Sequence, residues 1–155
     1  MVQSDLSECL QQCELFSALS RREVENIASL GHLKTYQAGE NILSQGDLGE
    51  NLYIIAEGTV VLERSIDLAT RRGRAVIGLL GRGRALGCWS TLLGERHTLM
   101  SSARCRKPTT AVVIKGLALR EMMLGDLELG FKVLERLCFI LRDRIQSAFG
   151  AMENV

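Results

Sequence analysis

The strongest local signal in the chain is Leu80-Gly81-Arg82-Gly83-Arg84-Ala85-Leu86-Gly87-Cys88-Trp89-Ser90-Thr91-Leu92-Leu93. An apolar run ends in it, Gly81, Gly83 and Gly87 punctuate it, and an apolar pattern resumes from Trp89. A second stretch upstream is punctuated the same way: Gln45-Gly46-Asp47-Leu48-Gly49-Glu50-Asn51-Leu52-Tyr53-Ile54-Ile55-Ala56-Glu57-Gly58-Thr59-Val60. The bias extends to the whole chain of 155 residues, which has 15 glycines and one proline. Average usage gives about 11 and about 8. Glycine therefore makes the corners, many of them at positive φ.

Around these stretches the apolar residues alternate. Leu33-Lys34-Thr35-Tyr36, Asn41-Ile42-Leu43-Ser44, Asn51 to Ile55, Thr59 to Arg64, Arg74 to Leu80 and Ala111 to Ile114 read as short strands. Glu57-Gly58 stands between two of them as a hairpin signal. Glycine-bounded strands at roughly 8–12-residue spacing predict an antiparallel sandwich or barrel.

Helical spacing flanks this region. Over residues 4–30, Leu6, Cys9, Leu10 and Cys13 share a face, and Leu15-Phe16 marks a break. Ser20-Arg21-Arg22-Glu23 is a capping box, in which the serine and the glutamate each satisfy the other's backbone amide. Val24, Ile27, Ala28 and Leu30 form the stripe of a second helix that Gly31 is placed to end. Past Lys115, Leu117 to Met123 suggest a short helix, with Gly125-Asp126 as the break. Leu134, Leu137, Leu141, Ile145 and Phe149 then mark a long helix from Phe131 to Phe149, about 28 Å at 1.5 Å per residue. The predicted fold is mainly β with flanking helices. One domain spans 1–155, with N-terminal helices over 1–32, an antiparallel β-barrel or jelly roll of about eight strands over 33–115, and a hinge and C-terminal helix over 116–150.

Bulk composition removes several classes. Nineteen Lys and Arg against 18 Asp and Glu leave a net charge of +1, unlike a strongly basic nucleic-acid binder. With 46% hydrophobic and 24% charged residues the chain is neither disordered nor collagen-like. Charge-free stretches fall short of the ~20 residues of a membrane span, and Met1-Val2-Gln3-Ser4-Asp5 is not a signal peptide. Five scattered cysteines, Cys9, Cys13, Cys88, Cys105 and Cys138, read as reduced thiols. A cytoplasmic, membrane-free protein is expected.

The two quoted stretches, with Gly46-Asp47, Tyr53, Gly58, Gly81, Gly83 and Gly87 at their corners and Phe16 ahead of a capped helix, resemble the cyclic-nucleotide-binding domain family. That family includes the regulatory domains of catabolite activator proteins, nucleotide-gated channels and kinase regulatory subunits. The resemblance covers about residues 15–147 and implies a double-stranded β-helix. It also implies a cassette in which one helical turn presents its amides to a cyclic phosphate, as free N–H groups and the helix dipole favour. A glutamate there binds the ribose and an arginine about ten residues later pairs with the phosphate.

In this chain Cys88 stands at the glutamate position, and the arginine position falls near Thr98 to Met100, none of them basic. Arg96 and His97 lie just before it, and Ser101-Ser102 offer the small hydroxyls. Contacts to charged groups are worth ~1.5–3 kcal/mol each, so losing both weakens nucleotide binding by two to four decades. The candidate ligand residues are Gly87, Cys88, Trp89 and Ser90 in the cassette, Arg82 and Arg84 before it, Ser101 and Ser102 after it, and Leu137, Leu141 and Arg144 on the helix that lids the family's site.

Several of these have a second, plain reading. Arg82 and Arg84 either replace the missing cation or are solvated turn residues, as the basic turn Arg71 to Arg74 is read. Trp89 either packs into the barrel or stacks on a ligand ring. Cys88 is an inert substitution or, with its pKa lowered at a helix N-terminus, a redox-sensitive thiolate. Cys9 and Cys13 are four apart on one face; without further ligands nearby they read as small buried hydrophobes. The final helix resembles the dimerising helix of catabolite activator-type regulators, although packing on its own barrel explains the same stripe.

No catalytic motif of the G-x-S-x-G, H-E-x-x-H or G-x-x-x-x-G-K-[ST] kind occurs. The expectation is a non-catalytic sensor. Its ligand is a small anion, a cyclic nucleotide (cAMP or cGMP) or another, and movement of the C-terminal helix carries the signal. No cofactor is assigned with certainty. Six residues after Phe149 leave no room for a helix-turn-helix, so output passes to an effector protein, with a homodimer through the C-terminal helix and no direct DNA binding. The alternatives are a ligand-free dimerisation or interaction module and a thiol-based redox sensor.

Overall fold

A computed structural model describes residues 2–153; Met1 and residues 154–155, the ends of the predicted domain, lie outside the described residues. Two helices come first, α1 (Val2–Gln11) and α2 (Arg21–Ala28). The capping box forms as predicted. Ser20 Oγ accepts the Glu23 N–H at 3.2 Å, and the Glu23 carboxylate accepts the Ser20 N–H at 2.9 Å. That backbone amide, with help from the Lys132 ammonium 3.2 Å away, holds the Glu23 carboxyl below its ordinary value. The capped end of α2 is thereby fastened to the last helix of the chain.

The strands are β1 (Gly31–Tyr36), β2 (Asn41–Leu43), β3 (Leu48–Gly49), β4 (Asn51–Glu57), β5 (Val60–Asp67), β6 (Arg72–Leu80), β7 (Ala85–Leu86), β8 (His97–Thr98), β9 (Ser102–Cys105) and β10 (Thr109–Lys115). Every pairing is antiparallel, in two four-stranded sheets, β1-β10-β4-β7 and β2-β9-β5-β6, with β3 and β8 as a two-stranded clip. All six strands read from the sequence are present, with ends shifted by up to three residues. The additional ones, β3, β7, β8 and β9, are two to four residues long, too short to show a period.

Glu57-Gly58 is not a hairpin. Its flanking strands lie in different sheets: β4 pairs with β10 and β7, while β5 pairs with β6 and β9. Gly58 takes φ +116°, and a Cβ there would fall 2.3 Å from Thr109 Oγ1. The positive φ carries the chain across the barrel instead of back along β4.

Three helices complete the chain: α3 (Trp89–Leu93) inside the barrel region, α4 (Gly116–Gly125), and α5 (Leu127–Met152). Asp126 accepts the Leu129 N–H at 3.2 Å and starts α5 four residues ahead of the predicted Phe131. With 26 residues it is about 39 Å long. One core fills the barrel between the sheets, around Tyr36, Ile55, Leu62, Leu86 and Ala111. The other lies outside the β1-β10-β4-β7 sheet and holds α1, α2, α4 and α5 against it through Leu10, Phe16, Ile54, Ile114 and Leu137. Leu129, Val133, Leu137 and Ile140 form the buried stripe of α5. Arg144, the next position of that stripe, is charged. Among the described residues no helix is long and apolar enough to cross a membrane.

Candidate functional site

The stretch from Leu80 to Leu93 is held by backbone before any side chain is counted. After β6, the Gly83 N–H donates to the Ile55 carbonyl at 2.8 Å and its carbonyl accepts the Glu14 N–H at 2.9 Å. β7 then pairs Ala85 and Leu86 with Ile54 and Tyr53. Gly87 follows at φ +75°, and a Cβ there would meet the Asn51 carbonyl oxygen at 2.4 Å. Both the conformation and the close approach demand glycine.

The one-turn helix α3 starts from Cys88, whose side chain makes no capping bond, and ends at Gly94 in the left-handed region. Its last carbonyls are gripped from α4. Arg120 donates to the carbonyls of Thr91 and Leu92 at 3.2 and 2.5 Å. A Cβ at Gly116, the first residue of α4, would sit 2.1 Å from Ser90 Oγ. Ser90, expected among the ligand contacts, is therefore buried against α4 and does not reach the cavity.

That cavity, of about 520 Å³, lies between the barrel wall, α3 and the end of α5. Leu43, Leu62, Ile77 and Leu86 come from the strands; Gly87, Cys88 and Trp89 from the cassette. Leu99, Met100 and Ser101 line it from the loop before β9, and Leu141, Arg144, Ile145, Ala148 and Met152 from α5. Arg64 of β5 completes it. The structure thus brings together six of the eleven expected residues: Gly87, Cys88, Trp89, Ser101, Leu141 and Arg144.

The other five lie elsewhere for identifiable reasons. Leu137 is fully buried in the outer core, one turn too early on α5 to meet the cavity. Ser102 Oγ accepts the Gln45 N–H at 2.9 Å, a strand-edge role. Arg82 is exposed on its turn. Arg84 is drawn the other way by Glu14, its Nε 2.7 Å from Glu14 Oε2.

Glu14 had no role in the sequence reading, and it organises the site. Beyond its pair with Arg84, its Oε1 accepts the Ala85 N–H at 3.2 Å and lies 3.5 Å from Arg144 Nη2. Arg144 Nη2 also donates to the Ala85 carbonyl at 2.6 Å, and Arg136 Nε to the Glu14 carbonyl at 2.9 Å. Burial presses the Arg144 guanidinium below its ordinary value, opposed by Cys88 and Glu14 beside it. The cation that lids the cavity therefore already has an anion from its own chain. Arg64, Ile145, Ala148 and Met152 were also missed. The last three carry a sequence signal, since they continue the row of Leu141 at helical spacing.

Trp89 has a neighbour as well as a cavity face, its ring centroid 5.5 Å from that of His97 and tilted by 41°. Of the two readings of Cys88, burial supports the inert substitution against the lowered-pKa thiolate. Burial pushes its thiol up to about 11, outweighing the nearby Arg144 charge. A five-residue helix supplies too little to ionise it. Cys9 and Cys13 are likewise buried, their thiols raised by desolvation, that of Cys13 to about 12. Among the described residues no group of three or more His, Cys, Asp and Glu side chains is placed to hold a metal ion.

Two outcomes follow. Glu14→Gln removes the anion shared by Arg84 and Arg144 and should cost about 1.5–3 kcal/mol in urea unfolding; an unchanged midpoint would contradict the network. Since the thiolate is the reactive form, Cys88 should resist iodoacetamide at pH 7.5 in the native protein and react after denaturation, as read by peptide mass spectrometry. Peroxide should then act alike on wild type and Cys88→Ser.

Comparison with known proteins yields a consistent set of matches. The family model described as "Cyclic nucleotide-binding domain" matches residues 33–126. The cyclic AMP receptor protein of Thermus thermophilus is 39% identical over 83 residues, 53% of this chain and 37% of that protein. The cAMP-dependent protein kinase type II regulatory subunit of Drosophila melanogaster is 35% identical over 80 residues, 52% of this chain and 20% of that protein. The chain thus spans well under half the length of either relative. Among solved structures, a cyclic nucleotide-binding domain from Methylobacillus flagellatus superposes with a TM-score of 0.76 at 25% identity, covering 96% of this chain and 80% of that one.

Proposed function

Because the chain belongs to the cyclic nucleotide-binding domain family, we propose that it is a non-catalytic regulatory module that takes a small anionic ligand in the cavity beneath α5 and signals by moving that helix. The observation that supports this reading most is the composition of the cavity's lid. Leu141, Arg144, Ile145, Ala148 and Met152 all come from the second half of α5, so whatever enters the cavity touches the helix directly. A second route runs through the backbone. The cavity wall includes the start of α3; Arg120 of α4 holds the end of α3, and α4 leads into α5 through the Asp126 cap. A ligand shifts such a helix only by its difference in affinity for the two positions.

The family's cyclic nucleotides are the first ligands to test. The cavity has Cys88 where the ribose carboxylate is expected, and of Thr98 to Met100, where the phosphate cation is expected, it has the apolar Leu99 and Met100. Cyclic AMP and cyclic GMP should accordingly bind with dissociation constants two to four decades above the family's usual range. A thermal-shift panel of cyclic mononucleotides, dinucleotides and small carboxylates decides the reading. A ligand at 100 times its Kd adds ~2.7 kcal/mol, a rise in Tm of roughly 5–10 °C. If no small anion raises Tm at millimolar concentration, the ligand-free interaction module becomes the better account.

A homodimer through α5 has an observation of its own. Leu127, Phe131, Leu134, Cys138, Leu141, Ile145, Ala148 and Met152 follow one another in alternating four- and three-residue steps. That is the a/d row of a coiled coil, and Leu127 and Phe131 on it are 74% and 65% exposed. In a parallel pair, each Cys138 faces its counterpart across the seam. Mild oxidation should give a disulfide-linked dimer at micromolar protein that Cys138→Ser abolishes. A monomer in sedimentation at the same concentration would remove the dimer.

A further inference from the structure

Resting on the reading that the cavity beneath α5 is the ligand site, we infer that its ligand is an apolar monocarboxylate, a medium-chain or arylalkyl acid, with its acid head at Arg64 and Ser101. Three observations lead there. The first is the wall. At about 520 Å³ the cavity is of ordinary small-molecule size, and Leu62, Ile77, Leu86, Trp89, Leu99 and Met100 give it an apolar interior. A sugar or base buried among them would leave its hydroxyl and amine groups unpaired, which is costly in such surroundings. A hydrocarbon body loses nothing there and gains burial.

The second is the count of available cations. Of the two guanidinium groups that line the cavity, Arg144 is committed to the Ala85 carbonyl and to Glu14. Arg64 donates from Nη1 to the Met100 carbonyl. Among the described residues its Nε and Nη2 have no protein acceptor. Arg144 makes both of its contacts through Nη2 and so has donors to spare as well. Arg64, however, has no carboxylate beside it among the described residues, and one unneutralised guanidinium matches one carboxylate in the fork geometry arginine prefers.

The third is placement. Arg64 stands two residues beyond Leu62 on β5, on the same face of the strand. Ser101 lines the cavity next to Met100, whose carbonyl Arg64 holds, and its hydroxyl has no protein partner among the described residues. Arg64 and Ser101 therefore form one polar pole, and Leu43, Leu62, Ile77, Leu86 and Ile145 supply the apolar lining for a hydrocarbon body.

Trp89 is the chain's one tryptophan and a cavity residue, so its emission reports occupancy. The full chain is titrated with sodium decanoate, decan-1-ol, cyclic AMP and inorganic phosphate, with Tm as a second readout. Decanoate should saturate the emission change and raise Tm. Decan-1-ol, and decanoate with Arg64→Gln, should each bind about tenfold or more weakly, and Arg64→Lys should recover part of the loss. Cyclic AMP and phosphate should leave the emission unchanged at the same concentrations. Equal binding of decanoate and decan-1-ol would overturn the acid head at Arg64. Tighter binding of cyclic AMP than decanoate would overturn the inference while upholding the cavity as a ligand site. Silence from all four probes would overturn it too, and the cavity reading would then stand or fall on the wider thermal-shift panel.

Discussion

One carboxylate ties the molecule together. Glu14, in the turn after α1, binds the Arg84 side chain, the Ala85 amide and Arg144. These belong to the N-terminal helices, the edge of the barrel where the cassette begins, and the last helix. The constraint it resolves is created by α5. The buried stripe of that helix runs through Leu129, Val133, Leu137 and Ile140 and then reaches Arg144, whose side chain is only 16% exposed. A guanidinium at that depth needs an anion and hydrogen-bond acceptors. Glu14 and the Ala85 carbonyl supply them, and α5 can continue over the cavity instead of leaving the barrel.

The same arrangement sets the chemistry of the cavity. An anionic ligand in this fold needs an unclaimed cation close to the cassette. Arg84 and Arg144 share the one carboxylate of Glu14, so both guanidiniums are already engaged by it before any ligand arrives, although one positive charge is left over. Cys88 contributes no compensating charge, because burial keeps it a neutral thiol. What remains is a largely apolar chamber in which, of the two lining guanidiniums, Arg64 is the one with no carboxylate beside it among the described residues.

How much of this was legible in the sequence follows from the range over which each signal acts. The capping box, the six longer strands and the stripe of α5 are local patterns of hydropathy and hydrogen bonding, and they were readable. Gly83 and Gly87 were readable as corners: both take positive φ, and a Cβ at Gly87 would run into the Asn51 carbonyl oxygen. The missed features depend on pairing across long separations. Glu14 meets Arg144 130 positions away, and no local pattern announces that. Strands of two residues such as β7 exist only because β4 is beside them. The Glu57-Gly58 turn shows the limit most clearly: its residues specify a corner, but only Thr109 packed against Gly58 decides that the corner leads to the other sheet. Arg84 and Leu137 were correctly placed near the cassette and on the lid helix, yet their side chains face Glu14 and the core.

The restraints on α5 change along its length. Up to Ile140 the helix is fixed by the core, and at Arg144 by Glu14. Beyond that, Ile145, Ala148 and Met152 line the cavity, and Ile145 and Met152 stay 47% and 41% exposed. A segment with few buried contacts lies at the low-stability end of a structure, and the proposed signalling needs such a segment above the chamber. These residues also end the a/d row that begins at Leu127. A molecule that orders them from the barrel side thereby fixes the surface they present outward, and a second copy that packs on them fixes the lid. The two events share side chains, so each must alter the affinity of the other by the same factor.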